Sequence, residues 1–394
     1  MNILEIRQPY IKRLGAKSRL CSDVTWGGRN RTLWFEVERE YEKCLCSERI
    51  DGFLVALLPF AMIANLNIFS GGYISERLLY QLKTILLPSL TANIADFHSI
   101  DIKAKFDGKV LECKNAVGTG FTCGIDSFYT VLKHVDECLG GFRLTHLTYF
   151  NIMNSAIWQG REDSSREFSN ARIDYVKPAA AELGLKLVTV DSNLDGIYRG
   201  FNYLATFTFR FFGTILALQK LFGKYYWSSG HTFSQFKLTI DDIAYFDLLS
   251  VQCLSNENTT FYSVGSEITR IEKTEYISDF AITYKFLNVC WSYLYNCGKC
   301  DKCRRTMLGL YALGKLDYYR EVFDVGYFYQ NRDEYLGHML RMWITEKDHG
   351  YYSEIRRYLR QRYIKIPARA KMCAIKLLYN ATKKKIKRTM KSFT

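Results

Sequence analysis

Four cysteines within fourteen residues, Cys290, Cys297, Cys300 and Cys303, restrict what this chain can fold into more than any other feature of its sequence. Two-residue gaps between the last three suit a tetrahedral thiolate site, and Zn2+ is the expected ion, with an iron–sulfur cluster or a fortuitous clustering of thiols as the alternatives. An ion held by all four sulfurs closes the segment into a knuckle around which neighbouring elements must pack. The Cys297-Gly298-Lys299-Cys300 turn lets backbone N–H groups bond to sulfur. Lys299, Lys302, Arg304 and Arg305 offset the negative charge of such a centre. A complete thiolate shell leaves no open coordination position, so the expected role is structural. The chain has twelve cysteines, and its opening, MNILEIRQPYIKRLG, lacks an apolar export signal. Free thiols and metal ligands are therefore expected over disulfides, and the cytoplasm is the expected compartment.

The rest of the chain reads as a succession of elements. In residues 1–100 a strand is expected at Thr32–Val37 and helices at about 53–66 and 75–90, separated by a linker, Phe69-Ser70-Gly71-Gly72. The apolar run Phe53–Phe69 carries Pro59, Asn65 and Asn67 and suits a buried helix better than a membrane span. Beyond it, Asp101–Phe106 and Lys109–Lys114 predict a hairpin around Asp107-Gly108. Strands at Leu144–Phe150, Leu185–Val190 and Lys224–Ser228 alternate with helices at about 126–138, 173–183 and 202–221. This rhythm predicts an α/β fold with a doubly wound parallel sheet, whose ligands gather beyond the carboxyl ends of the strands. The expected organisation is an α+β accessory domain over 1–100, the main domain with its zinc knuckle over 101–315, and a helical basic extension over 316–394.

Ahead of the first long helix of the main domain lies Gly118-Thr-Gly-Phe-Thr-Cys-Gly-Ile-Asp-Ser127. An extended run entering a helix through glycines presents backbone N–H groups to an anion, and Gly118, Gly120 and Gly124 permit close approach. No Gly-Lys-Ser/Thr follows, so this is not a Walker A loop. Thr122, Cys123, Gly124, Ile125, Asp126 and Ser127 resemble the Ser-Gly-Gly-x-Asp-Ser signature of the PP-loop ATP pyrophosphatase superfamily, with Cys123 where that family has its first glycine. Within the superfamily, the cysteine cluster resembles the zinc knuckle of the 7-cyano-7-deazaguanine synthases. The resemblance covers roughly residues 110–315. It implies that the loop grips the phosphates of ATP, that Asp126 orients the loop or helps hold Mg2+, and that the products are AMP and pyrophosphate. The implied activity is that of an adenylating ligase forming a carbon–nitrogen bond, acting on a modified base, a sugar or a protein terminus.

Other candidates flank these motifs. His231, in Ser228-Ser229-Gly230-His231, is a possible general base or substrate contact, against the alternative of a surface loop histidine. Asp191 and Asn193 follow a predicted strand. Arg270 and Lys273 stand three apart, so a helix starting near Thr269 puts both on one face, where a cation stabilises departing pyrophosphate; pairing with Glu272 is the alternative. Cys123 is either a nucleophile or a neutral replacement of glycine.

Charge is concentrated at one end. From Arg356 onward the chain has fourteen Lys or Arg and no acidic residue, which leaves residues 1–355 balanced at 40 of each sign. The tail is expected to meet RNA phosphates or an anionic membrane surface, or to be a solvated helix; interleaved Ile364, Ile366, Ile375, Leu377 and Leu378 favour the membrane surface, with a peripheral location there. Two rival functions follow from these features: a non-catalytic zinc-containing nucleic-acid-binding protein, and a degenerate PP-loop protein that senses nucleotide.

Overall fold

In a computed structural model, which describes residues 2–152, 165–345 and 350–391, the chain divides into two units. One comprises Met1–Thr122 with Thr130–Glu267, the other Cys123–Tyr129 with Ile268–Thr394.

The first unit is built on one sheet. Its strands are β1 (Ile3–Ile6), β2 (Tyr10–Leu14), β3 (Lys17–Trp26), β4 (Arg29–Glu38), β5 (Asn67–Ser75), β6 (Ile102–Asp107), β7 (Ala116–Gly120), β8 (His146–Asn151), β9 (Lys186–Ser192), β10 (Phe222–Ser228) and β11 (Thr260–Val264). Among the described residues they run in the order β11-β10-β7-β8-β9-β4-β3-β1-β5-β6, with β2 on β3. The five strands from β7 to β11 are mutually parallel. Their chain order across the sheet is third, second, first, fourth, fifth. The chain fills one side of β7 with β8 and β9, then returns to fill the other with β10 and β11. Connections leaving β7 and its neighbours therefore diverge at this switch point, the place where ligands of open α/β sheets gather.

The amino-terminal strands extend the same sheet, because β4 pairs antiparallel with β9 through Phe35↔Ser192 and Glu36↔Asp191. Residues 1–100 thus share a sheet with the main α/β region. The apolar run forms a buried helix, Asp51–Ile63. It approaches the helix Phe207–Ala217 through Gly52 and Gly213; a Cβ on Gly213 would lie 2.5 Å from the Gly52 carbonyl oxygen. Among the described residues no helix is long and apolar enough to cross a membrane.

Three local expectations fail. The Phe69–Gly72 linker is the middle of β5, which lies between β1 and β6. A Cβ on Gly72 would lie 2.6 Å from Gln8 Oε1 and 3.0 Å from Ile50 Cγ2. The Asp107-Gly108 hairpin does not form: β6 pairs parallel with β5, and Lys109–Lys114 is irregular. Its turn chemistry is diverted, since Asp107 Oδ1 takes the Lys109 amide and the Arg49 guanidinium while the Leu111 amide donates to Asn258. The helix expected over 202–221 is shortened to Phe207–Ala217, with a single 3-10 turn at Tyr203–Ala205.

The second unit is helical. It comprises the segment Cys123–Tyr129 together with the helices Arg270–Ile277, Asp301–Leu313, Arg332–Thr345, Gly350–Gln361 and Ala368–Lys391, among others. Met307, Leu310, Tyr319, Phe328, Leu336 and Met339 are buried in its core. The helix Asp301–Leu313 starts on Cys300, whose sulfur accepts from the Cys303 amide, and stops at Gly314 in the left-handed conformation (φ 70°).

Candidate functional site

The turn after β7 leads into the helix Ile125–His134. Its unusual residue is Cys123, which holds φ at 59° with its side chain buried. A left-handed conformation costs an ordinary residue roughly 1–2 kcal/mol, which explains why a glycine would be at home there. The Cys123 carbonyl accepts from the Asn288 amide at 2.8 Å. Ser127 Oγ donates to the Gly124 carbonyl at 3.0 Å, while Thr122 is exposed. Gly118 serves packing: it lies inside β7, where a Cβ would come within 2.5 Å of the Phe222 ring.

Asp126, one residue into the helix, is the centre of a charge cluster. Arg270 donates to its Oδ2 at 2.6 Å, and Lys273 Nζ stands 3.5 Å from Oδ1. Both cations reach one carboxylate because they share a face of the helix Arg270–Ile277, as their spacing requires. Glu272 does not compete for them. Its carboxylate accepts from the Thr269 amide (2.7 Å) and hydroxyl (2.6 Å) in a capping box that fixes the helix start. Among the described residues the ion pairs of Arg270 and Lys273 go to Asp126, not to Glu272.

The cluster extends beyond these three groups. Arg270 and Arg305 both lie over the Tyr351 ring, at 5.2 and 4.4 Å from its centroid, and all three line a cavity of about 20 Å3 with Thr274 and Glu354. That volume accommodates one water-sized molecule. Arg270 Nε is buried there with no hydrogen-bond partner among the described residues. Burial pushes the Asp126 carboxyl up, but Arg270, Lys273 and Arg305 outweigh it and hold the group below the usual carboxylate range. Arg305 is lowered by burial and then by Arg270. Lys302, although exposed, is lowered by the surrounding protein and by repulsion from Arg305 and Arg270. Two basic side chains, Arg270 and Lys273, thus meet on the Asp126 carboxylate, while Arg305 stands 3.9 Å from Asp301; two cations on one carboxylate leave positive charge that suits an anion. With its charge engaged by two cations, Asp126 fits the role of orienting the loop better than that of a ligand for a divalent ion.

The four cysteines come together as their spacing predicts, with all sulfurs within 4.8 Å of one another. Cys290 Sγ to Cys300 Sγ and Cys297 Sγ to Cys303 Sγ are each 3.9 Å. A tetrahedron with Zn–S bonds of about 2.3 Å has edges of about 3.8 Å, so the donor set fits zinc. The Cys300 amide points to Cys297 Sγ (3.3 Å) and the Cys303 amide to Cys300 Sγ (3.4 Å), with Gly298 at φ 68° making the knuckle turn. Asn296 braces the loop, accepting from the Val289 and Cys290 amides and donating to the Leu287 and Val322 carbonyls.

No protein-family model, curated protein or solved structure matches this chain.

The remaining candidates lie in the first unit. His231 is largely buried, stacked on Tyr245 with ring centroids 3.8 Å apart, and its Nε2 is 3.5 Å from Asp242 Oδ2. The expectation of a surface loop histidine is therefore overturned; its Nδ1 has no hydrogen-bond partner among the described residues. Asn193 bridges strands, accepting from the Trp34 amide and donating to the Thr32 carbonyl, which gives it a structural role. Asp191 accepts from the Ser192 amide and Asn151. Sequence reasoning missed Tyr351, and assigned Lys302 and Arg305 only to balancing the metal site. The one available signal was the position of Arg305 four residues after Asp301 on a single helix.

Proposed function

We propose that this chain is an ATP-dependent adenylating enzyme of the PP-loop kind, with the phosphates held by the turn at 122–127 and the cations converging on Asp126. The observation that carries this proposal is the convergence of Arg270 and Lys273 on Asp126, with Arg305 and Lys302 close by. Asp126 is the one acidic residue of the motif, and the cluster joins it to a helix 144 residues further along the chain. A purely structural ion pair needs one cation; two on one carboxylate leave net positive charge for a polyanion. The position of β7 at the switch point of a five-stranded parallel sheet supports the same reading.

In the proposed reaction, a carboxylate, amide or carbonyl oxygen of the substrate attacks the α-phosphorus of ATP. The bond from that phosphorus to the bridging oxygen breaks, and pyrophosphate leaves with the electron pair. Ammonia, an amine or a sulfur nucleophile then displaces AMP from the adenylated carbon. Arg270 and Lys273 stabilise the charge that accumulates on the leaving group, and Arg305 and Lys302 extend that field. Mg2+ bound to the phosphates would add charge neutralisation. The zinc knuckle holds the start of the helix that carries Lys302 and Arg305, so its role is to position them.

Chromatographic assay of AMP and pyrophosphate formed from ATP by the purified chain, across candidate acceptors and ammonia, tests the proposal. AMP formation that disappears in Arg270→Met supports it; ATP that neither binds nor turns over refutes it. The buried, left-handed Cys123 favours a second reading, a protein that binds nucleotide without reacting. Nucleotide binding with no AMP, and a gain of AMP formation in Cys123→Gly, would distinguish that case.

A further inference from the structure

The carboxy-terminal helix packs in a way that reverses the usual distribution of side chains. Ala368–Lys391 lies against the helix Arg332–Thr345, and small residues make the contact. Ala370 and Ala374 are buried, and a Cβ on Gly337 would lie 2.6 Å from Cys373 Cβ and 2.9 Å from the Ala370 carbonyl oxygen. Larger apolar side chains face outward: Met372, Ile375 and Tyr379 are 68%, 66% and 65% exposed. At about 100° per residue they fall within an arc of about 60°, so they form one stripe along the helix. Arg369, Lys371, Lys376 and Lys383, all exposed, flank it. A helix that only met solvent would carry its large apolar residues on the packed face.

We infer that this stripe is a docking surface for an anionic lipid bilayer, with the helix lying in the plane of the headgroups. The charge supports that occupant, since the chain from Arg356 onward has fourteen basic residues and no acidic one. A second copy of the same helix would bring like charges together and is disfavoured by repulsion. Nucleic acid phosphates would satisfy the lysines but give Met372 and Ile375 nothing to enter. A bilayer satisfies both, through apolar insertion beside anionic headgroups. The helix is not apolar enough to cross, so it rests on the surface. This inference is independent of the proposed nucleotide chemistry.

Flotation of the full chain with vesicles tests it. The chain is expected to float with phosphatidylglycerol-containing vesicles, to remain behind with phosphatidylcholine alone, and to be released by high salt. The exposed triple substitution Met372→Ser, Ile375→Ser, Tyr379→Ser is expected to lower the partition coefficient about tenfold or more, with an unchanged thermal melt. Three results overturn the inference: no flotation with anionic vesicles, equal flotation of the triple variant, or a stable dimer that the triple substitution dissociates. A polyuridine competitor that binds the wild type and the triple variant equally, and more tightly than the vesicles do, also overturns it, in favour of a nucleic-acid surface.

Discussion

Replacing Asp126 by Asn removes one charge and almost no volume, and so isolates the electrostatics of the cluster. At an effective dielectric of about 20, unit charges at the two observed separations, 2.6 and 3.5 Å, attract by about 6 and 5 kcal/mol. Most of that is offset by the desolvation already incurred by the ions, and breaking such a pair costs about 3–5 kcal/mol when it is well buried. Arg270 and Asp126 keep some exposure but Lys273 is buried, so the lower end, about 3 kcal/mol, is the expected loss in urea unfolding. The same substitution removes the counter-charge that Arg270 and Lys273 share. Added pyrophosphate should therefore stabilise Asp126→Asn more than wild type; an anion at about 100 times its Kd returns about 2.7 kcal/mol. A control, Glu272→Gln, weakens the capping box by about 1 kcal/mol and should leave the pyrophosphate response unchanged. If Asp126→Asn loses under about 1 kcal/mol, or gains no more from pyrophosphate than wild type does, the cluster is not an anion site.

Three further outcomes are expected. Elemental analysis should find about one zinc per chain, lost in Cys297→Ser, and chelation should lower the stability of the helical unit by several kcal/mol; zinc retained in that variant would argue against the four-sulfur site. Cys123→Gly relieves the left-handed backbone while losing a buried thiol, effects of about 1 kcal/mol each, whereas Cys123→Ala loses the thiol and keeps the strain. Glycine should therefore be tolerated better than alanine in denaturant melts, and the reverse order would contradict the observed backbone. Asp247 is buried, accepting from Trp227 Nε1 at 2.6 Å and Thr208 Oγ1 at 3.1 Å, and burial drives its carboxyl up to about 8. Between the ordinary carboxylate value of about 4 and that value, the folded state keeps a proton that the unfolded state has lost. Its contribution to stability thus falls by a few kcal/mol as pH rises through this window and is flat above it; Asp247→Asn should flatten the slope of urea midpoints between pH 5 and pH 8.

Features whose partners lie close in the chain were legible in the sequence. The cysteine knuckle closes over fourteen residues, and its geometry follows from spacing and one glycine. The Thr269–Glu272 cap is equally local, and a stricter reading of Thr-x-x-Glu would have removed Glu272 from the list of partners for Arg270. The alternation of strands and helices over 101–250 foretold a mostly parallel sheet, because burial on both faces leaves apolar runs that need no distant information.

Tertiary structure alone decided where those pieces pair. Gly71-Gly72 carries the composition of a linker, but the residues on either side of it pair with β1 and β6 and make it an irregularity within β5. Asp107-Gly108 has hairpin chemistry, but Arg49, 58 residues away, takes the aspartate. Nothing near Asp126 in the sequence announces cations 144 and 147 residues later. Hydrogen bonding and side-chain geometry within a turn or a helix act over a few residues and leave a pattern in the sequence. Strand pairing and charge convergence act through space, where many partners have the same chemistry and only the packed chain selects one.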